Sequence, residues 1–338
     1  MAFISCVNCG SSDHKKLTTS RGDKKIGAYN GKFPVVLCRN CGLCFLNPQP
    51  SHEEYVQYYT SKNKNREFAL EAFYEYKNYQ THYVRWLIKN ANIPKNAQIL
   101  ELGCGKGSLL RSFKTEFGFT NITGLEISPT YAKLAEKTGA KIYNEDILEN
   151  TLPKNNYDVI FTLALLEHMN DPKVLLNEVN RLLRPNGYVY FMTPDLYGMT
   201  FRNKFFKFVH PYYFSESAIR SLLEQCGFEI VAIKSTPVFD GHTSFMNPEN
   251  LVAGELHTIA KKSPKKRAEP VREDYKKIVA HFWKQRLRDA PYEFMFKLIY
   301  SKYGGFLRKL KNHLRRNSGI ADPYSDYENY WVKITERV

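Results

Sequence analysis

No apolar run in this 338-residue sequence approaches the ~20 residues needed to cross a bilayer; VIFTLALL, at 159–166, is the longest kind it has. The opening stretch, MAFISCVNCGSS, lacks a basic region followed by an apolar one, so no secretory signal is visible and a cytoplasmic protein is expected. Cysteine is scarce beyond the first 44 residues: of seven, only Cys104 and Cys226 lie further on. An odd count without a secretion signal argues against a disulfide framework. Acidic residues are scarce near the C-terminus, where Lys261–Arg316 holds 18 Lys and Arg against 5 Asp and Glu. That segment carries nearly all of the net charge of +15. It can have acidic partners of its own without making the whole chain a nucleic-acid binder.

What is present is globular in composition, 43% apolar and 25% charged, and long enough for about two domains. Two Cys-x-x-Cys pairs occupy the first 50 residues, which end in NPQP. Residues 66–93 are rich in helix formers, with Phe68, Ala72, Tyr76, Tyr79, Tyr83 and Leu87 near helical spacing. Apolar strand runs follow at 98–103, 122–127, 140–144, 157–165 and 188–194, with helical stretches at 108–117, 129–138 and 172–183. This alternation predicts a parallel sheet covered on both faces. SESAIRSLLEQCGF reads as a helix opened by Ser215 and closed by Gly227. The runs 228–236 and 254–262 are close enough to pair as a hairpin at the sheet edge, and KKSPKKRAEP at 261–270 is a hinge into a basic, largely helical tail.

ILELGCGKG, at 99–107, places Gly103, Gly105 and Gly107 at alternate positions after a strand, with Glu101 two residues before the first. A dinucleotide loop would space its glycines as Gly-x-Gly-x-x-Gly. A carboxylate here repels a pyrophosphate but suits an ammonium and a sulfonium. Glu126, about 20 residues past the glycines, stands where nucleotide folds bind the ribose hydroxyls. Asp146, at the end of the third strand, is placed to accept from an adenine amino group. A lone glycine turn is an ordinary structural feature; three acids at three successive strand ends point to a ligand.

ILELGCGKG, LEIS, NEDIL, DVIFTLALLEHMNDP and RPNGYVYFMTPD together resemble the motifs of class I S-adenosylmethionine-dependent methyltransferases, over residues 97–262. The resemblance implies a Rossmann-like α/β methyltransferase fold with a mostly parallel seven-stranded sheet. It assigns Glu101, Gly103, Cys104 and Gly105 to the methionine part of S-adenosylmethionine, and Glu126 with Ile127 to the ribose. Asp146 and Ile147 take the adenine, and Leu163 and Ala164 the sulfonium edge. Cys104 carries no redox role in this reading.

CVNC (Cys6, Cys9) and CRNC (Cys38, Cys41) each project two thiolates from a turn followed by glycine, two corners of a tetrahedral site apiece. Four ligands predict a structural Zn²⁺; unmetallated thiols and a redox pair are the alternatives, and Cys44 is a spare thiol that could replace Cys41. LCRNCGLCFLNPQPSHEEYVQYY resembles the zinc-binding module that precedes a subset of these methyltransferases, many of which act on sugars. Cys44 departs from it, standing where that module has an aliphatic residue. The expected organisation is a zinc-ribbon-like module (1–50), a helical linker or lid (51–96), the methyltransferase domain (97–262) and a basic, mostly helical extension (263–338).

Methyl transfer from a sulfonium chiefly needs alignment of donor and nucleophile. A hydroxyl acceptor also gains from a general base, usually worth about 10²–10⁴-fold. The candidates are His168 in LLEHMNDP and His210 in KFVHPYYFS; both match positions of the resembling family, and the resemblance implies that the Glu167–His168 pair starts the helix after the fourth strand. Either a catalytic or a pocket-shaping role suits His168; Asp195 and Tyr197 are weaker candidates. In the tail, Phe306, Leu307, Leu310 and Leu314 form an apolar stripe among basic residues. Such a stripe packs on its own domain, lies at the inner face of an anionic membrane, or grips a phosphate-rich substrate. The function expected is methylation of a small-molecule or glycan acceptor, most simply a sugar hydroxyl or carbon of a nucleotide-activated or polysaccharide-pathway substrate. The alternative is an RNA methyltransferase, disfavoured because strand four carries TLALLEHM and no basic groove with interleaved aromatics lies outside the tail. A non-catalytic cofactor-binding module is the third reading.

Overall fold

The structure, a computed structural model, describes residues 2–20, 32–62, 81–198, 206–236, 254–267 and 269–299. The tail stripe and residues 66–80 of the helix-rich stretch lie outside them.

The alternating apolar runs become a seven-stranded sheet. In chain order its strands are β4 (Ile99–Leu102), β5 (Ile122–Leu125), β6 (Lys141–Tyr143), β7 (Tyr157–Leu163), β8 (Leu183–Pro194), β10 (Phe228–Thr236) and β11 (Glu255–Lys262). Across the sheet they lie in the order β10-β11-β8-β7-β4-β5-β6. The pairs β5–β6, β4–β5, β4–β7 and β7–β8 are parallel, and β11 runs antiparallel to both β8 and β10. Successive residues of a strand face opposite sides. Ile99, Val159, Phe161 and Tyr190 therefore meet Val84, Leu87, Leu109 and Phe113 of α2 (Thr81–Asn90) and α3 (Ser108–Thr115). Leu100, Leu102, Ile160, Val189 and Phe191 share the second core with Leu175, Val179, Ile219 and Leu222 of α5 (Pro172–Leu182) and α6 (Glu216–Gln225). Each such side chain, fully buried, contributes about 1.5–3 kcal/mol.

Several boundaries differ from the sequence expectation. The helix expected at 129–138 is α4 (Pro129–Ala135) followed by one 3₁₀ turn, Glu136–Thr138. β8 begins at Leu183, not 188: α5 runs straight into it, and a register irregularity between Tyr157 and Val159 lets Tyr157 pair with Leu183. Arg184 Nη1 holds Asp158 across this junction at 2.7 Å. Glu167 and His168 do not start a helix; they sit in a 3₁₀ turn, Leu166–His168. Helix α5 waits for Pro172, where Asp171 caps it by accepting from the Lys173 N–H at 2.8 Å. Ser215 caps α6 by accepting from the Ala218 N–H.

The cysteine-bearing strands β1 (His14–Thr19), β2 (Pro34–Cys38) and β3 (Cys44–Leu46) form a second sheet. Its fourth strand, β9 (Tyr212–Tyr213), comes from far downstream and pairs with β3. Helix α1 (His52–Lys62) follows β3. Met1–Met199 and Phe206–Val279 make one compact unit, in which Cys38, Cys41, Leu43 and Phe45 share a core with α6. The other unit comprises Thr200–Phe205 and Ala280–Val338. Its described part belongs to α7 (Tyr275–Ile299), with Arg286 over the Trp283 ring at 5.3 Å. Among the described residues no helix is long and apolar enough to cross a membrane.

Candidate active site

The chain leaves β4 to build β5 and β6 on one side, then returns to build β7 and β8 on the other. The crevice beyond the carboxyl ends of β4 and β7 is thus the topological switch point, where open α/β sheets bind ligands. Leaving β4, the chain turns through Gly103 (φ 70°), Gly105 (φ 52°) and Gly107 (φ 79°), and α3 starts at Ser108. The Gly103 and Cys104 N–H groups both donate to the Leu125 carbonyl, at 2.8 and 3.0 Å, tying the loop to β5. A Cβ on Gly103 would stand 3.3 Å from Leu165, so glycine keeps the crevice floor open as well as permitting the turn.

Glu101 is 4% exposed, and its Oε2 has no hydrogen-bond partner. Burial, reinforced by the Glu126 charge, raises its carboxyl well above the ordinary range. A buried carboxylate oxygen without a partner is costly unless a ligand completes it. Glu126 accepts from the Gly105 N–H and the Ser128 N–H, both at 2.8 Å. Burial raises its carboxyl and these two donors oppose the rise. Asn144, which the sequence reading missed, donates to the carbonyls of Glu126 and Ile127, at 2.7 and 3.1 Å, and so fixes the loop that carries both. Asp146 Oδ1 accepts from the Leu148 N–H, and its Oδ2 meets Nε2 of His52 on α1 at 3.0 Å. Ile147 is buried beside it. The histidine at the start of α1 had no signal in the sequence, since its partner lies 94 residues away. At the end of β7, Leu163 is half-buried and Ala164 exposed, with Ala164 in the left-handed region at φ 50°.

Beyond Ala164 the 3₁₀ turn brings Glu167 and His168 to His210, whose ring stands edge-on to that of His168 at 4.6 Å. His168 Nδ1 donates to the Val209 carbonyl at 2.7 Å, which leaves Nε2 as the other face of the ring, 3.9 Å from Glu167 Oε1. Burial lowers the imidazolium of His168 to about 4 and that of His210 well below its usual value, so both rings are neutral near pH 7. Glu167 is 1% exposed, with no hydrogen-bond partner for either carboxylate oxygen; burial pushes its carboxyl up to about 8. Glu255 on β11 stands near enough for the Glu167 charge to act on it, accepts from the Tyr83 hydroxyl, and is likewise pushed up to about 8, chiefly by burial. Glu167 and Glu255 were legible only as acids inside otherwise apolar runs. Asp195 and Tyr197 are committed elsewhere. Tyr197 donates to Glu273 at 2.5 Å, and Asp195 accepts from Ser235 and from the Tyr197 N–H.

The two Cys-x-x-Cys turns converge. One sulfur from each of Cys6, Cys9, Cys38 and Cys41 lies within 4.8 Å of the others, with Cys6–Cys41 and Cys9–Cys38 each at 3.5 Å. Four sulfurs at Zn–S distances of about 2.3 Å would be ~3.8 Å apart, so the donor set fits a tetrahedral zinc ion. Each second cysteine is followed by glycine in the left-handed region, whose N–H returns to the first cysteine's carbonyl. Cys44 is fully buried opposite Tyr213 and is not in the group. The module and α1 hold the backbone on either side of His210: Leu46 N–H donates to the Pro211 carbonyl at 2.8 Å, and the Tyr55 hydroxyl of α1 to the Phe208 carbonyl at 2.8 Å.

Residues 74–233 match the family model described as a methyltransferase domain. A 2-methyl-6-phytyl-1,4-hydroquinone methyltransferase of Synechocystis is 31% identical over 100 residues, 28% of this chain and 31% of that protein. A ubiquinone biosynthesis O-methyltransferase of Erwinia tasmaniensis is 29% identical over 115 residues, 32% of this chain and 46% of that protein. The chain thus spans less than half the length of these relatives. Among solved structures, a complex between the Haloferax volcanii Trm112 methyltransferase activator and a methyltransferase matches 62% of this chain and 97% of that one, at 15% identity and a TM-score of 0.47. The family match covers just under half of the chain, and the seven-stranded sheet with its switch-point crevice has the Rossmann-like architecture of a methyltransferase fold.

Proposed function

We propose that this chain transfers the methyl group of S-adenosylmethionine to a hydroxyl of a small-molecule or glycan acceptor. The observation that carries the cofactor assignment is the unpartnered, buried Glu101 oxygen at the switch point, a ready partner for an ammonium and a poor neighbour for a phosphate. In this reading Glu101, Gly103, Cys104 and Gly105 receive the methionine moiety, Glu126 and Ile127 the ribose, and Asp146 and Ile147 the adenine. Leu163 and Ala164 border the sulfonium, and His168 and His210 face the acceptor. The bound donor supplies an already activated methyl group; the chain's part is to align an oxygen with it and exclude water.

A hydroxyl acceptor is supported by the relative named as a ubiquinone biosynthesis O-methyltransferase, and by a site whose nitrogens are held neutral. The finer proposal is a sugar of a nucleotide-activated or polysaccharide-pathway substrate, suggested by the cysteine module ahead of the domain. We further propose that Cys6, Cys9, Cys38 and Cys41 hold a structural Zn²⁺, and that the basic C-terminal segment touches an anionic membrane or a phosphate-rich substrate. Flotation with anionic liposomes, with and without residues 300–338, tests the membrane contact; equal flotation removes it. For the acceptor, the full chain is incubated with methyl-labelled S-adenosylmethionine and, separately, nucleotide sugars, glycan extract, quinols and total RNA. Label is expected in a small-molecule or glycan arm, and label in RNA alone would replace the proposal with RNA methylation.

A further inference from the structure

We propose that Glu167, His168 and His210 bind a divalent transition-metal ion on the acceptor side of the crevice. One donor atom from each of the three lies within 4.8 Å of the other two. Two imidazoles and one carboxylate are the donor set of metal sites that keep coordination positions open for a reactant. The surroundings have the features of such a site. His168 donates Nδ1–H to the Val209 carbonyl at 2.7 Å, which fixes its tautomer and presents Nε2 as the metal-ligating atom. Both carboxylate oxygens of Glu167 and the Nδ1 of His210 are buried without hydrogen-bond partners, so donor atoms with no hydrogen bond converge from two chain segments. Those segments are fixed independently. The 3₁₀ turn Leu166–His168 follows β7, whereas His210 bonds back to the Lys207 carbonyl and precedes β9, which the cysteine-bearing sheet holds through β3.

The metal's role rests on the methyltransferase reading, but its binding does not. A hydroxyl oxygen of the acceptor would occupy an open position and give up its proton to water. The oxygen lone pair then forms the O–CH₃ bond as the S–CH₃ bond breaks, releasing S-adenosylhomocysteine. The acceptor class this implies has an oxygen able to ligate a divalent ion, such as a vicinal diol or a quinol.

The test uses the untagged full chain, saturated with Zn²⁺, freed of excess metal and counted. Two zinc ions per chain are expected in the wild type and one in both E167Q and H210A. S-adenosylmethionine affinity should stay within about twofold in both, which shows that the variants are folded. A second measurement needs no variant: Co²⁺ added to protein whose cysteine site is already filled with zinc should give visible d–d absorption without a thiolate charge-transfer band. One zinc per chain in the wild type, a second zinc retained in both variants, or no cobalt spectrum would overturn the proposal. Failure of the wild type to bind S-adenosylmethionine would instead overturn the functional reading and leave the metal count standing.

Discussion

Replacing Glu101 by Gln keeps the shape of a buried side chain and removes only its ability to become an anion. The carbonyl of Gln can still accept the backbone hydrogen bond that Leu110 gives Glu101. What changes is the oxygen without a partner. Removing one member of a buried, hydrogen-bonded charge pair costs about 2–5 kcal/mol in binding. Glu101 must first ionise against burial and the neighbouring Glu126, which consumes part of that gain, so the loss belongs at the lower end, about 2–3 kcal/mol. At about 1.4 kcal/mol per tenfold, calorimetry should show S-adenosylmethionine binding weakened about 30- to 150-fold in E101Q. The unliganded protein should lose no stability, because the substitution removes a buried group that resists ionisation. Wild-type affinity in E101Q would refute the assignment of Glu101 to the ligand's ammonium. A fall in the melting temperature of unliganded E101Q would show that the carboxyl is structural.

The same carboxyl makes binding depend on pH. Its folded-state value is raised, so the stability it contributes is full below the ordinary carboxylate value of 4.5 and is lost as pH rises through the raised value. A cationic ligand needs the anion, so S-adenosylmethionine affinity should increase with pH over that window. Calorimetry in two buffers of unlike ionisation enthalpy should detect proton release, with none for adenosine. In G124A a Cβ would lie 2.7 Å from Cys104 Sγ and 2.8 Å from Leu110 Cδ1, overpacking the floor of the loop; denaturant unfolding should show a loss of about 1–3 kcal/mol. C38S should remove the cysteine-bound zinc and loosen β3, which holds β9 next to His210. Turnover and acceptor affinity should fall while S-adenosylmethionine affinity changes little; equal loss of both affinities would show that the module supports the whole domain.

The parts of the fold legible in the sequence are those where one physical pattern dominates over a contiguous stretch. The β4, β5, β7 and β8 runs were visible because strands buried on both faces are largely apolar, whereas the order of the strands across the sheet, which makes the switch-point crevice, is set by the fold. The β10–β11 hairpin was visible because its strands are close in the chain. Glu101, Glu126 and Asp146 stood out as acids at strand ends. What was hidden depends on distant chain segments. β9 is two residues long, and nothing in Tyr212 and Tyr213 announces that they complete a sheet begun by β1. The approach of Glu255 to Glu167, and of His52 to Asp146, is likewise set by the tertiary fold. The Glu167–His168 pair was placed at a helix start by the family resemblance alone, whereas in this chain it forms a 3₁₀ turn ahead of the helix. Asp171-Pro172, a capping residue followed by proline at the first helical position, was the sharper boundary signal.

The most direct test is transfer of the methyl group itself. The zinc-loaded 338-residue chain is given methyl-labelled S-adenosylmethionine together with pooled sugars, glycans and quinols, and the products are separated by size and charge. Label in a small-molecule or glycan product, abolished in H210A and strongly reduced in E101Q, is the result expected. Stoichiometric S-adenosylmethionine binding with no label transferred to any acceptor would contradict it, leaving the crevice as a binding site without catalysis.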